Sequence, residues 1–148
     1  NRCISWLWIN FAILDLIIYW GIYIRLCRIR GWVIICDRYI GDTKIDFDMN
    51  FPNVNYRNNL LWRFLEIIYP RADKYFLLLI NAEESMNRSS KKNEPFPDSF
   101  SRICHRLKEY NDLNKFKKNR YFRIDCMKPE NKVRELINDE LQTYIKIK

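Results

Sequence analysis

The sequence predicts an α/β fold: a three-layer arrangement in which a parallel sheet carries helices on both faces. Two observations point there. Three short, mostly apolar runs, residues 32–36, 75–80 and 121–124, have the length and composition of buried strands. Each is followed by a polar residue, Asp37, Asn81 and Asp125, and helical patterns lie between them. Strands that alternate with helices favour parallel pairing, because a crossover must return the chain to the same edge.

Taken in order, residues 3–24, "CISWLWINFAILDLIIYWGIYI", form a long apolar helix. It is long enough to span a bilayer. Ser5, Asn10 and Asp15 interrupt it, and steps of five place them about 140° apart, on no common face. An acid at the centre of a span costs about 2.5–3.5 kcal/mol. Arg25, Arg28 and Arg30 follow, as a membrane flank or as cover for a soluble helix end. A soluble helix buried on most sides is the expectation, with no membrane partner. The first strand, residues 32–36, comes next, then a loop at 47–55, "FDMNFPNVN". Residues 56–68 repeat apolar positions at Leu60, Leu61, Phe64, Leu65 and Ile68 until Pro70 stops the pattern. The second strand follows at 75–80. Residues 88–97, "RSSKKNEPFP", have the Ser, Lys and Pro content of a mobile lid loop. Residues 98–114 place Phe100, Ile103, Leu107, Tyr110 and Leu113 on one face. After the third strand, residues 129–145 repeat Val133, Leu136, Ile137, Leu141 and Tyr144, with Pro129 suited to a first helical position.

At 148 residues the chain is long enough for one domain with a core, and 48% apolar residues exclude a disordered chain. The net charge is +8, unevenly spread. Residues 1–87 hold ten of the 26 Lys/Arg and nine of the 18 Asp/Glu, so residues 88–148 carry almost the whole surplus. That surplus favours phosphate-bearing partners. The five cysteines, Cys3, Cys27, Cys36, Cys104 and Cys126, are odd in number and form no CxxC pair. A disulfide framework or zinc site is not expected, and a reducing cytoplasm fits. The start at Asn1 reads as a chain cut into on its N-terminal side.

In open α/β sheets ligands bind beyond the C-terminal ends of the strands. Asp37 and Arg38 stand at such a point. A carboxylate there can hold magnesium through water, and a guanidinium can grip a phosphate bidentately. A structural ion pair or a strand-end cap is the other reading of the same two residues.

The wider context carries a resemblance. "VIICDRYIGDT" resembles the Asp-Arg-aromatic motif of thymidylate kinases, in the P-loop nucleoside monophosphate kinase superfamily. "PRADKYFLLLINAEESMNRSSKK" looks like that family's strand and helix entering the lid, and "FSRICHRLKEYNDL" is similar to its post-lid helix. "YFRIDCMKPENKVRELINDEL" looks like its last strand, base loop and closing helix. Asp15 lies 22 residues before Asp37, a spacing like that of the acid on the family's preceding helix. The long aromatic helix and "DRYIGDTKID" look closer to thymidylate kinase-like proteins of surface-polysaccharide functions.

The resemblance implies a single thymidylate kinase-like domain over residues 1–148, P-loop kinase-like and N-terminally truncated. It implies ATP-dependent phosphoryl transfer to a nucleoside monophosphate, dTMP first, with ATP and Mg2+ as cofactors and a homodimer in the full-length form. Asp37 would sit near magnesium and Arg38 would bind the acceptor phosphate. Asp15, Thr43 and Asp46 would line the acceptor. Arg88, Lys91 and Lys92 would be lid cations over the transferred phosphoryl. Arg102 and Arg106 would add phosphate contacts, and the loop after Asp125 would lie against the adenine. Catalysis would rest on positioning and charge stabilisation.

The chain departs from the family at several points. No G-x-x-x-x-G-K-[ST] occurs, and the resemblance begins after that element. Leu16 stands where the family's helix arginine would follow its acid, and Ala12, with Phe11 beside it, where a base-stacking phenylalanine would be. Asp46 falls where an aromatic contact to the base would be expected. Outside the resemblance, the lone His105 beside Cys104 lacks a metal-ligand set. Lys115, Lys117, Lys118, Arg120 and Arg123 interleave with Phe116, Tyr121 and Phe122, a mix suited to nucleic acid or to a solvated helix end. A non-catalytic phosphate or nucleic-acid binding module is thus the alternative function. A membrane-associated partner in a surface-polymer pathway is a third.

Overall fold

The computed structural model describes residues 2–92, 97–116 and 121–147. The chain divides into two compact units, Asn1–Ala72 and Asp73–Lys148.

The first unit is helical. Its apolar N-terminal stretch forms one continuous helix, Arg2–Ile29. It is built of α1 (Arg2–Leu16), a π-helical stretch (Ile17–Tyr23) and α2 (Ile24–Ile29). After residues 30–39 come α3 (Ile40–Asn50), a 3-10 turn (Tyr56–Asn58) and α4 (Leu60–Ile68). Ile9, Ile13, Trp20, Ile24, Ile40, Phe47, Tyr56, Trp62 and Leu65 make the core. Trp62 is its centre, 1% exposed, with the Tyr56 and Phe47 rings 4.8 and 5.8 Å away.

Two polar groups in the apolar helix are spent on joining it to α4. Asn10 Oδ1 accepts from Asn59 Nδ2 at 2.7 Å, while Asn59 Oδ1 caps α4 by accepting from Leu61 N at 2.9 Å. At the other end, Arg25 Nε and Nη2 donate to Ile68 O at 3.0 and 2.7 Å. The guanidinium thereby satisfies a carbonyl that α4 leaves open. Gly21 lets the Ile68 side chain approach closely, since a β-carbon there would run into Ile68 Cδ1 and force that side chain to shift.

The second unit contains a two-stranded parallel sheet. β1 (Tyr75–Leu79) pairs with β2 (Tyr121–Asp125), Tyr75 opposite Tyr121 and Leu79 opposite Asp125. Between them run α5 (Ala82–Lys91) and α6 (Phe100–Phe116), and α7 (Glu130–Ile147) follows β2. Asn81 caps α5 by accepting from Glu84 N at 2.7 Å. Pro129 opens α7, its carbonyl accepting from Lys132 N and Val133 N at 2.9 and 3.2 Å. Lys74 and Glu140 form an ion pair.

The fold class is therefore corrected. The molecule is mostly helical, and the only sheet among the described residues has two strands, so it is not a three-layer α/β P-loop fold. The expected strand at 32–36 forms no regular element and joins no sheet. Its apolar composition is that of a buried strand, yet a strand needs a neighbour for its backbone groups, and none lies beside it. The long helix buries one side only. Trp6, Trp8, Phe11, Ile18 and Ile22 are exposed, because α4 and the 39–56 segment cover just the opposite face. The expected loop at 47–55 begins as the last turn of α3. Burial of Phe47 under Tyr56 and Trp62 overrides the Asn content there.

Candidate functional site

The turn between residue 36 and α3 places Asp37 and Arg38 side by side on the surface. Arg38 has φ +65°, the only non-glycine residue with positive φ among the described residues. That conformation costs a non-glycine residue about 1–2 kcal/mol. The next residue holds the turn in place. Tyr39 OH donates to Pro70 O, and its ring packs 4.7 Å from Trp20 and 5.8 Å from Tyr69. Tyr39 N donates to Asp42 Oδ2 at 3.0 Å, which closes the first turn of α3. The aromatic residue after Asp-Arg is thus an anchor, and the acid and base before it are left outside.

The side chains differ in what they meet. Asp37 is exposed, and among the described residues nothing hydrogen-bonds or pairs with its carboxylate. Arg38 Nη1 lies 3.6 Å from Asp46 Oδ2, with the arginine side chain 57% exposed. Thr43 Oγ1 donates to Tyr39 O at 3.3 Å, a back-bond within the helix. The structure brings Arg38 and Asp46 together and sets Thr43 on the same helix. Asp15 is exposed on α1, with no hydrogen bond or ion pair to the turn.

The other expected site residues belong to the second unit. Arg88 lies in α5, donating from Nε to Glu84 Oε1 at 2.8 Å and from Nη2 to Cys126 O at 3.1 Å. That bond holds the Glu84 carboxyl below its usual range. Partial burial pushes the Cys126 thiol up, against the opposing pull of Arg88. Lys91 and Lys92 are exposed at the end of α5. Of the expected lid, residues 88–91 are helical and 93–96 lie outside the described residues. Arg102 and Arg106 both reach Asp98, at 3.1 and 3.3 Å. Asp125 Oδ1 accepts from Met127 N at 2.9 Å and so shapes the turn after β2. Residues 117–120 of the basic cluster lie outside the described residues, and Arg123 donates to Asn111 Oδ1 at 2.8 Å.

Sequence reasoning missed the acids that hold these arginines. Glu84 and Arg88, like Asp98 and Arg102, stand at i,i+4 on helices, a spacing visible in the sequence. Asp46 as partner of Arg38 had no such signal, since α3 itself was not anticipated.

For magnesium the residues offer one carboxylate, Asp37, with its oxygens open to solvent. That suits an ion that keeps most of its water and needs only one or two carboxylates beside phosphate oxygens. For the ATP phosphates the fit fails, since no glycine-rich cradle is present in residues 1–148. Comparisons with protein-family models, with curated proteins and with solved structures found no match.

Proposed function

We propose that the chain binds a nucleoside monophosphate, dTMP first, with the Asp37–Arg38 turn as its acceptor-phosphate site. The observation that carries this reading is the backbone of Arg38. A strained conformation at a charged, exposed residue persists only where its surroundings impose it, and such residues cluster at binding sites. Here Tyr39 and its partners impose it, while nothing in the core uses the Arg38 side chain.

In this role Arg38 donates to two phosphate oxygens and fixes the monophosphate at the turn. Asp37 is exposed beside it and would hold a magnesium ion through water, which would supply positive charge against the phosphates. Asp46 keeps the guanidinium near α3 before phosphate arrives.

Calorimetric titration with dTMP, thymidine and inorganic phosphate tests the reading. The expected result is measurable dTMP binding, stronger than thymidine by about tenfold or more, since a charged hydrogen bond contributes about 1.5–3 kcal/mol. Equal affinity for dTMP and thymidine, or none for either, would overturn it.

A further inference from the structure

We infer that the open side of the Arg2–Ile29 helix rests on an anionic lipid surface, lying in the plane of the interface and not crossing it. The inference does not depend on the phosphate reading.

A helix that is apolar all round needs apolar surroundings on every side. This one has them on one side only. Ile9, Ile13, Trp20 and Ile24 are buried in the core of the first unit. Ile4, Leu7, Phe11, Leu14, Ile18 and Ile22 recur at steps of three or four residues, and all are exposed. Trp8 stands beside them, 66% exposed. The stripe runs roughly 25 Å along the helix. A contiguous apolar stripe of this length marks an interaction surface.

The charges select the partner. Residues 1–36 hold four arginines, Arg2, Arg25, Arg28 and Arg30, and one acid, Asp15. The arginines stand at the two ends of the stripe, and between Arg2 and Arg25 the only charged residue is Asp15. Arg2 and Arg30 are exposed, while Arg25 bonds to the neutral Ile68 carbonyl and so keeps its full charge. An apolar stripe closed at both ends by cations complements acyl chains lying under anionic headgroups. A folded protein partner would instead meet a rim of hydrogen-bonding groups along the stripe. Beside this one stand exposed Trp8, Tyr19 and Tyr23, whose rings favour the level of lipid headgroups.

Two features keep the helix in the plane. Its buried side shares the core with Phe47 of α3 and with Trp62 and Leu65 of α4, so lipid cannot surround it without dismantling that core. Asp15 is exposed midway along the helix. A spanning helix would carry its carboxylate to the middle of the bilayer, where an acid is costly, whereas a helix in the plane leaves it at the depth of the wet headgroups.

Flotation of the whole chain with vesicles of phosphatidylcholine and phosphatidylglycerol, and with vesicles of phosphatidylcholine alone, tests this. The expected result is binding to the mixed vesicles, tighter than to the zwitterionic ones by about tenfold or more and weakening as salt rises. The Trp8→Ser/Phe11→Ser double variant, altered only at exposed positions, should bind the mixed vesicles about tenfold or more weakly, with urea unfolding of the first unit unchanged. Arg30→Gln should lose about fivefold on mixed vesicles and nothing on phosphatidylcholine. A quencher attached near the lipid headgroups should dim the wild-type tryptophans more than one at the chain ends. No flotation, equal binding to both kinds of vesicle, or a double variant that binds as tightly as the wild type overturns the proposal. So does stronger quenching from the chain ends, which would mean a spanning helix. A wild-type chain that associates without lipid and then ignores vesicles also overturns it, and would make the stripe a protein contact.

Discussion

Arg38 and Asp46 face each other across the first half of α3, Nη1 to Oδ2 at 3.6 Å. The arginine side chain is 57% exposed and that of Asp46 is partly buried, so at 3.6 Å solvent still screens their attraction, which is on the order of 0–1 kcal/mol. That leaves Arg38 held near the turn and still available to a stronger anion. A phosphate carries more charge than a carboxylate and offers a guanidinium several oxygens at once.

Asp46→Asn should therefore raise affinity for dTMP, by no more than about fivefold. Titration at low salt reads the change directly. A clear fall in affinity would instead make Asp46 a positioning residue that aims the guanidinium.

Arg38→Gly separates strain from function. Glycine adopts positive φ freely but loses about 0.5–1 kcal/mol more chain entropy on folding. Against about 1–2 kcal/mol of strain removed, stability should be unchanged or rise by up to about 1.5 kcal/mol. All five tryptophans lie in the first unit, so their fluorescence during urea unfolding follows that unit. A loss above about 2 kcal/mol would show that the guanidinium is structural.

Tyr56 makes the first unit sensitive to alkali. Burial pushes its phenol up to about 12, and its hydroxyl donates to Asp48 Oδ1 and Lys44 O at 3.0 and 3.2 Å. The folded state thus keeps its proton more tightly than the unfolded chain, whose phenol titrates near 10. The resulting stability is present in full below about pH 10 and is lost as pH rises toward 12, by about 2–3 kcal/mol. In Tyr56→Phe the unit should be weaker at pH 8 by about 1 kcal/mol and lose this part of the pH slope. An unchanged slope in the variant would remove Tyr56 as its source.

Asn10 and Asn59 should be coupled. Asn59→Ala removes both a helix cap and the partner of Asn10, and should cost about 1–2 kcal/mol. Asn10→Ala alone should cost less. The double variant should be milder than the sum by about 0.5–1 kcal/mol. Strict additivity would mean that the 2.7 Å contact contributes nothing.

Periodic elements were legible in the sequence, and elements set by distant contacts were not. Apolar spacing and Pro70 placed α4, and short apolar runs placed β1 and β2, because those features act within a few residues. Residues 32–36 misled because their composition reports the tendency to pair, whereas pairing needs a second edge. Helix α3 was hidden: its buried Ile40, Ile45 and Phe47 keep no simple repeat, and its start depends on Tyr39 reaching Pro70. At the candidate site, Asp37 and Arg38 were legible as adjacent charges after an apolar run. The positive φ of Arg38 and its contact with Asp46 were not, since both follow from how α3 is anchored.

The central claim is that Arg38 receives a phosphate. It is tested most directly by dTMP and thymidine affinities measured side by side for the wild type and Arg38→Ala, with fluorescence-monitored unfolding to confirm that the first unit stays folded. The account predicts that dTMP affinity falls by about tenfold to a hundredfold while thymidine affinity is unchanged. Equal losses for both ligands, or dTMP binding untouched by the substitution, would contradict it.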